Sequence, residues 1–288
     1  MILQISQAIV SGVLLGGIIC LVAIGLSLIW GVMDVVNFAQ GEFVMLAMFV
    51  TLGFAQFFGL DPILSMPLVV VVMACTGVLT YQAVIKPIVG APLLMPVLAT
   101  FGLSLLIRYT IQGLFSANFR VMPQHIVDQT AVFTIGGLYF PHVTTIGFVT
   151  AILCTGALWF FLSNSETGRA MRAVAQDREA AAVVGINVER IQRLAWAIGI
   201  GLTGVAGALL SMIYQIHPGV GPAFTMLSFA AVALGGFRSI IGPAVAAIAL
   251  GVVQVLVGTL WKPEYQDVVI FGFLIVALII LAKQGKRQ

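Results

Sequence analysis

Long apolar runs alternate along this chain with short polar breaks, and one long polar run interrupts them. The apolar runs fall at about 4–30, 36–58, 62–84, 94–115, 143–163, 191–215, 224–238, 242–260 and 267–283. A helix needs about 20 apolar residues to cross the hydrocarbon core of a bilayer. In lipid, a helix satisfies its own backbone hydrogen bonds where an isolated strand cannot. The pattern therefore predicts an all-α, polytopic integral membrane protein with about eight to nine transmembrane or re-entrant helices. No linker or low-complexity segment divides it, so residues 1–288 form a single transmembrane domain. Two runs are weak. Run 224–238 is short and ends at Gly235-Gly236, as a re-entrant half-helix would, and run 36–58 carries Asn37, Gln40, Gly41 and Glu42 in its first turns. Whether both cross decides the side of the N-terminus.

The polar interruption, Ser163 to Arg193, holds Glu166, Arg169, Arg172, Asp177, Arg178, Glu179, Glu189, Arg190 and Arg193. Ser165 or Thr167 is placed to cap a first short helix through Arg169–Ala175, Asp177 to cap a second, and Gly185 to end it in the left-handed conformation. In that second helix Ala180, Ala181, Val183 and Val184 form a small apolar face beside Asp177 and Arg178. A short amphipathic helix in a loop has the shape to lie in another protein's groove.

Composition narrows the class. The chain is 61% hydrophobic and 8% charged, with mean hydropathy +1.14, against about 25% charged in a soluble domain. Cys20, Cys75 and Cys154 lie inside apolar runs and read as small buried hydrophobes. His125, His142 and His217 are dispersed and make no metal site. No Gly-x-x-x-x-Gly-Lys-[Ser/Thr] phosphate loop occurs, so the chain does not hydrolyse ATP by that route. No Lys or Arg precedes the first apolar run, which argues against a cleaved signal peptide. The net charge of +3 is small and the basic residues are clustered, a pattern of membrane orientation and not of nucleic-acid binding. With 163–193 in the cytoplasm, Lys86, Arg238, Lys283, Lys286 and Arg287 join it there, leaving Arg120 and Lys262 outside and Arg108 in the membrane. The C-terminus is then cytoplasmic. The outer segments include Ser116–Pro141, with a hairpin turn expected at Gly136-Gly137, His217–Pro222 and Trp261–Asp267.

Polar groups inside a span are costly unless paired or facing a cavity. Asn37, Gln40, Gly41 and Glu42 therefore either line a translocation path through a broken helix or clamp helices together by hydrogen bonds; both roles need the same residue types. Arg108 is the one intramembrane base available to Glu42, the alternative being a Glu42 that meets water while Arg108 snorkels. Thr100, Ser104 and Arg108 form one stripe of their helix, facing a pathway or, for Thr100 and Ser104, bonding back to their own backbone. The small residues of Gly199–Gly207 and Gly235–Gly251, with Gly12, Gly16 and Gly17, read as close helix packing. A faint likeness between Leu26–Met45 and Leu209–Ser228 suggests an inverted repeat.

Three segments carry a resemblance. Thr167–Asn187 resembles the cytoplasmic coupling loop of ABC importer permeases, with Glu179-Ala180-Ala181 and Gly185 similar to the EAA–x3–G signature. Trp30–Phe43 and Ala233–Pro243 are similar to segments of the branched-chain amino acid ABC transporter permease family, the LivH type; the later Leu-Pro of the full importer pattern is absent after Gly185. The resemblance implies an ABC importer permease fold, whose coupling loop 164–190 docks on an ATPase through Arg169, Arg172, Asp177, Glu179, Ala180, Ala181 and Gly185. It implies as partners a second permease subunit, two cytoplasmic ABC ATPases and an extracytoplasmic substrate-binding protein. This chain would bind no cofactor, with ATP and Mg on the ATPases. Asn37, Gln40, Gly41, Glu42 and Thr100 are then the candidate pathway or gate for apolar amino acids crossing a bacterial inner membrane. The alternatives are a permease for amides or urea, and an ion-coupled carrier or channel working through Glu42 and Arg108.

Overall fold

A computed structural model of the chain describes residues 2–92, 94–123, 131–237, 239–261 and 265–285, with side chains for all of these but 2, 267 and 277–285. Of the polar positions picked out in the sequence, Gln124, His125, Asp128, Gln129, Arg238, Lys262, Lys286 and Arg287 lie outside the described residues, as does the Lys283 side chain.

The elements follow the apolar runs: α1 Ile2–Met33, α2 Gln40–Phe58, α3 Pro62–Thr80 with a π-helical turn at Tyr81–Ile85, α4 Leu94–Phe115 and α5 His142–Asn164. The polar run folds into α6 Glu166–Gln176 and α7 Arg178–Val183, after which come α8 Val188–Leu210, α9 Gly221–Gly235, α10 Ile241–Leu260 and α11 Tyr265–Gly285. Before α5, β1 Val132–Ile135 and β2 Leu138–Pro141 form an antiparallel hairpin with Ile135 opposite Leu138. Its turn residues Gly136 and Gly137 have φ of +60° and +81°, as a two-residue type I′ turn requires.

Among the described residues seven helices, α1 to α5, α8 and α10, are long and apolar enough to cross a membrane. The protein is a polytopic all-α membrane protein. α9 has 15 residues and falls short of that length. Run 36–58 needs one correction: its first residues are not helical, and α2 starts only at Gln40. Asn37 and Gln40 are then bound to each other, and a loop hydrogen bond replaces the first helical turn.

Burial separates inner helices from outer ones. α1 and α8 are buried over most of their apolar stretch, α5 and α10 over only about a fifth of theirs. α1 is apolar on every side, as a central helix must be. Hydrocarbon provides no hydrophobic drive between helices, so association there relies on close packing. α1 and α10 run antiparallel with Gly12 and Gly16 against Gly251, Val252 and Ile248, so closely that a Cβ at Gly251 would stand 2.5 Å from the Gly16 Cα. Gly199 of α8 meets Gly25 and Ile29 of α1, Gly204 meets Met73 of α3, and Gly207 meets Val44 and Ala47 of α2. The small-residue runs are packing surfaces.

Leucine at Gly16 or Gly251 should force α1 and α10 apart. The expected cost is about 1–3 kcal/mol of overpacking, seen as a lower melting temperature of the purified protein in detergent; an unchanged melting curve would contradict this packing.

Candidate functional site

α1 stops at Met33, and Asp34 follows in the left-handed region with φ +51°, a conformation that Asp tolerates better than most residues. The chain then doubles back alongside α1, because Gln40 Nε2 donates to the carbonyl of Val22 at 3.1 Å. From Met33 back to Val22 is about 16 Å along a helix axis, so α2 begins deep inside the bundle. Irregular backbone at that depth must be satisfied by protein. Val36 O accepts from Thr100 Oγ1 at 2.8 Å, Asn37 Oδ1 accepts from the Ala39 amide at 3.1 Å, and Asn37 Nδ2 donates to Gln40 Oε1 at 2.9 Å. Asn37, Gln40 and Thr100 are wholly buried.

The start of α9 lies beside the start of α2. The Gly41 amide donates to Thr225 Oγ1 at 2.9 Å, and the missing side chains of Gly41 and Gly221 make room for the approach. α9 then runs toward the end where α1 stops: Trp30 packs on Phe237 with ring centroids 4.3 Å apart, and Ser27 Oγ donates to Ser239 O at 2.6 Å. α2 runs the other way, so the two breaks, after Met33 and after Leu210, face each other in opposite directions. That is the relation expected of an inverted repeat.

Glu42 sits where these two helix starts converge. Its carboxylate is 1% exposed; Oε1 accepts from Arg108 Nε at 3.1 Å and, closer still, from Arg108 Nη2. Oε2 is buried, has no hydrogen-bond partner and lies against Gly221, where any Cβ would collide with it. The positive ends of two helix dipoles and one guanidinium thus surround one carboxylate. Arg108 belongs to α4, and its side chain is 26% exposed. On the same stripe Thr100 both reaches across to Val36 O and bonds back to Pro96 O, whereas Ser104 bonds only back, to Phe101 O. The buried state satisfies Asn37, Gln40, Gly41 and Thr100 as a clamp between helices. Thr225 and Gly221 were not picked out from the sequence as site residues; the signal available was a hydroxyl in an otherwise apolar run. Arg108 was legible as a partner for Glu42, though not as a site residue in its own right.

The second candidate site is the turn of α6 and α7. Ser165 Oγ accepts from the Gly168 amide at 2.8 Å, and Asp177 Oδ1 accepts from the amides of Glu179 and Ala180 at 2.9 and 3.0 Å. Both are N-caps, worth about 1 kcal/mol each. Gly185 ends the segment with φ +86°. Met171 and Val174 seat α6 on the bundle, while exposed Arg169 and Arg172 reach the last carbonyls of α5, Asn164 O and Ser163 O. The expected apolar face needs correction. Ala181 turns inward at 3% exposure and anchors α7, leaving Ala180, Val183 and Val184 outward with Glu179. Val183 and Val184 are 87% and 75% exposed, so the tip ends in uncovered apolar surface. Arg178 Nη2 lies 3.3 Å from Asp34 Oδ2, tying α7 to the break after α1. On the other side Lys86 Nζ pairs with Glu189 Oε1 at 2.7 Å. No His/Cys/Asp/Glu cluster suited to a metal occurs among the described residues.

The model of one protein family, the permease component of the branched-chain amino acid transport system, matches residues 8–278, a span that includes both sites. The chain belongs to this permease family. The permease is 30% identical over 285 residues to BraD, a high-affinity branched-chain amino acid transport system permease protein of Pseudomonas aeruginosa, covering 95% of this chain and 92% of that one. It is 28% identical to the corresponding LivH protein of Escherichia coli over 97% of this chain and 94% of that one. It is 29% identical to a probable LivH of Methanocaldococcus jannaschii over 94% and 87%. No solved structure matches the permease.

Breaking the buried pair from one side should be costly. Arg108→Leu is expected to destabilise the permease by about 3–5 kcal/mol, because it strands a buried charge. Adding Glu42→Gln should recover much of that loss. Equal melting temperatures for Arg108→Leu and the double variant would refute the pairing.

Proposed function

We propose that this chain is one of two permease subunits of an ATP-driven importer that carries branched-chain amino acids across the plasma membrane of a prokaryote. Two cytoplasmic ATPases carry the ATP and Mg, and an extracytoplasmic binding protein delivers substrate. Membership of the permease family supports the transport role. The names of relatives that align with almost the whole chain support the substrate class.

The observation that carries the coupling is the α6–α7 tip. A capped helix, seated by Ala181, presents Val183 and Val184 to solvent beside Glu179. Exposed apolar side chains rimmed by charge suit a protein partner. The same turn touches the α1 break through Arg178 and Asp34, and that break leads directly to Asn37, Gln40, Gly41, Glu42 and Thr100. The polar cluster is therefore the gate, and the tip is the handle that moves it. Arg169, Arg172 and Asp177 shape the handle as caps, Gly185 closes it, and Glu179 and Ala180 face the ATPase. The clustering of basic residues in 163–193 favours a cytoplasmic position for this loop and for the C-terminus.

Reconstituted uptake tests this reading. Radiolabelled leucine should enter vesicles only with the ATPases, ATP and the binding protein present. Uptake driven by an ion gradient without them would establish a secondary carrier instead. Glu179→Lys should leave insertion intact and lower co-purification of the ATPase at least about tenfold, since misplaced charge at an interface costs several kcal/mol. Undiminished co-purification would reject the docking surface.

A further inference from the structure

We propose that the Glu42–Arg108 pair is the resting form of a binding site for the zwitterionic head of a free amino acid: the substrate's ammonium takes Glu42 and its carboxylate takes Arg108. This rests on the transport reading above and goes further by naming the two groups that receive the substrate.

The pair is incompletely used. Nε and Nη2 of Arg108 both donate to Oε1, and Oε2 is left buried without a partner. A fork-to-fork pair would use both oxygens. Among the described residues Arg108 has Glu42 as its one acceptor, so each member relies on the other. A neutral solute that parted them would leave two buried charges uncompensated. An amine alone or an acid alone would leave one. A zwitterion leaves none, because it brings an anion to Arg108 and a cation to Glu42. The pair thus selects for both charges together, which excludes urea and simple amides.

The surroundings fit the rest of such a molecule. About two turns further along the same faces of α2 and α4, Phe49 and Phe115 pack with centroids 5.1 Å apart, an apolar wall for an aliphatic side chain. The described residues of the chain cover α4 only on one side. Its outer face exposes Leu98, Phe101, Leu106 and Tyr109, and among the described residues no heavy atom of another element comes within 4 Å of a Cβ built at Gly102 or Gly113. The partly exposed Arg108 arm marks the side from which a ligand enters.

The test uses the assembled complex with its ATPases in lipid nanodiscs, without the binding protein, and measures equilibrium binding of radiolabelled leucine. Unlabelled leucine should displace the label. Isoamylamine, which lacks the carboxylate, and isocaproate, which lacks the ammonium, should not displace it at the same concentration. Glu42→Gln should weaken binding at least about tenfold, the effect of losing one charged hydrogen bond. The double variant Glu42→Gln with Arg108→Gln keeps a neutral hydrogen bond between the helices, so it should still co-purify with the ATPases yet bind no leucine. Arg108→Lys, which keeps the charge without the fork, should bind with intermediate affinity. Absence of saturable binding to the wild-type complex, displacement by either single-charge analogue, or undiminished binding in the double variant would overturn the proposal. If reconstituted uptake persists beside any of those results, the transport reading stands and only the site is wrong.

Discussion

A carboxylate held where water does not reach sets the terms for everything packed around it. Moving such an ion out of water costs several kcal/mol even after the protein relaxes, and Glu42 is 1% exposed. Arg108 offsets part of that cost, and the starts of α2 and α9 contribute positive helix ends. For both helix starts to reach one point, α2 must begin in mid-bundle, which requires the irregular segment after Met33. That segment exposes backbone groups with no helix to bond them; Asn37 and Thr100 supply partners for the Ala39 amide and the Val36 carbonyl, and Gln40 holds the Asn37 side chain and ties it to α1. Glycine at 221 is needed because a Cβ there would occupy the carboxylate's place. Each unusual residue near the site is explained by the one before it.

Two kinds of attachment divide the bundle. α10 is held to α1 by glycine faces that approach almost to backbone contact, and such an interface has little room to slide. α4 is tied to the rest at Thr100 and Arg108 by polar contacts that can exchange partners. Packing against small residues fixes a helix because every atom of the contact is lost at once when it shifts. A hydrogen bond or ion pair can be handed over to a ligand at little net cost. The mobile part of a transporter is best placed where attachment is of the second kind.

Much of this was legible in the chain. The apolar runs gave the helices because hydropathy and bilayer thickness leave little choice. The caps Ser165 and Asp177 and the stop at Gly185 were readable because they act within a turn or two of themselves. Glu42 and Arg108 were paired by scarcity of charge and not by geometry. What the sequence hid depends on long-range approach. Nothing local says that Thr225 reaches the Gly41 amide, or that Asp34 meets Arg178 across 144 positions. The inward turn of Ala181 was hidden for a related reason: a helix as short as α7 has too few positions to define a periodic face.

The link between the α6–α7 tip and the buried pair cannot rest on the Arg178–Asp34 contact alone. Its side chains are 28% and 55% exposed, and an exposed pair is worth at most about 1 kcal/mol. The stiffer connection is packing. Met171, Val174 and Ala181 are buried, so α6 and α7 move with the bundle surface beneath them, and that surface includes the end of α1. Asp34 marks where α1's hydrogen bonding stops. Under the proposed coupling, a push on the tip would be delivered to a nearby stretch that has no helix to resist bending. That stretch ends at Gln40, about half a turn short of Glu42, which holds Arg108. In that proposal, motion entering at the tip would reach the ion pair through a hinge only a few residues long.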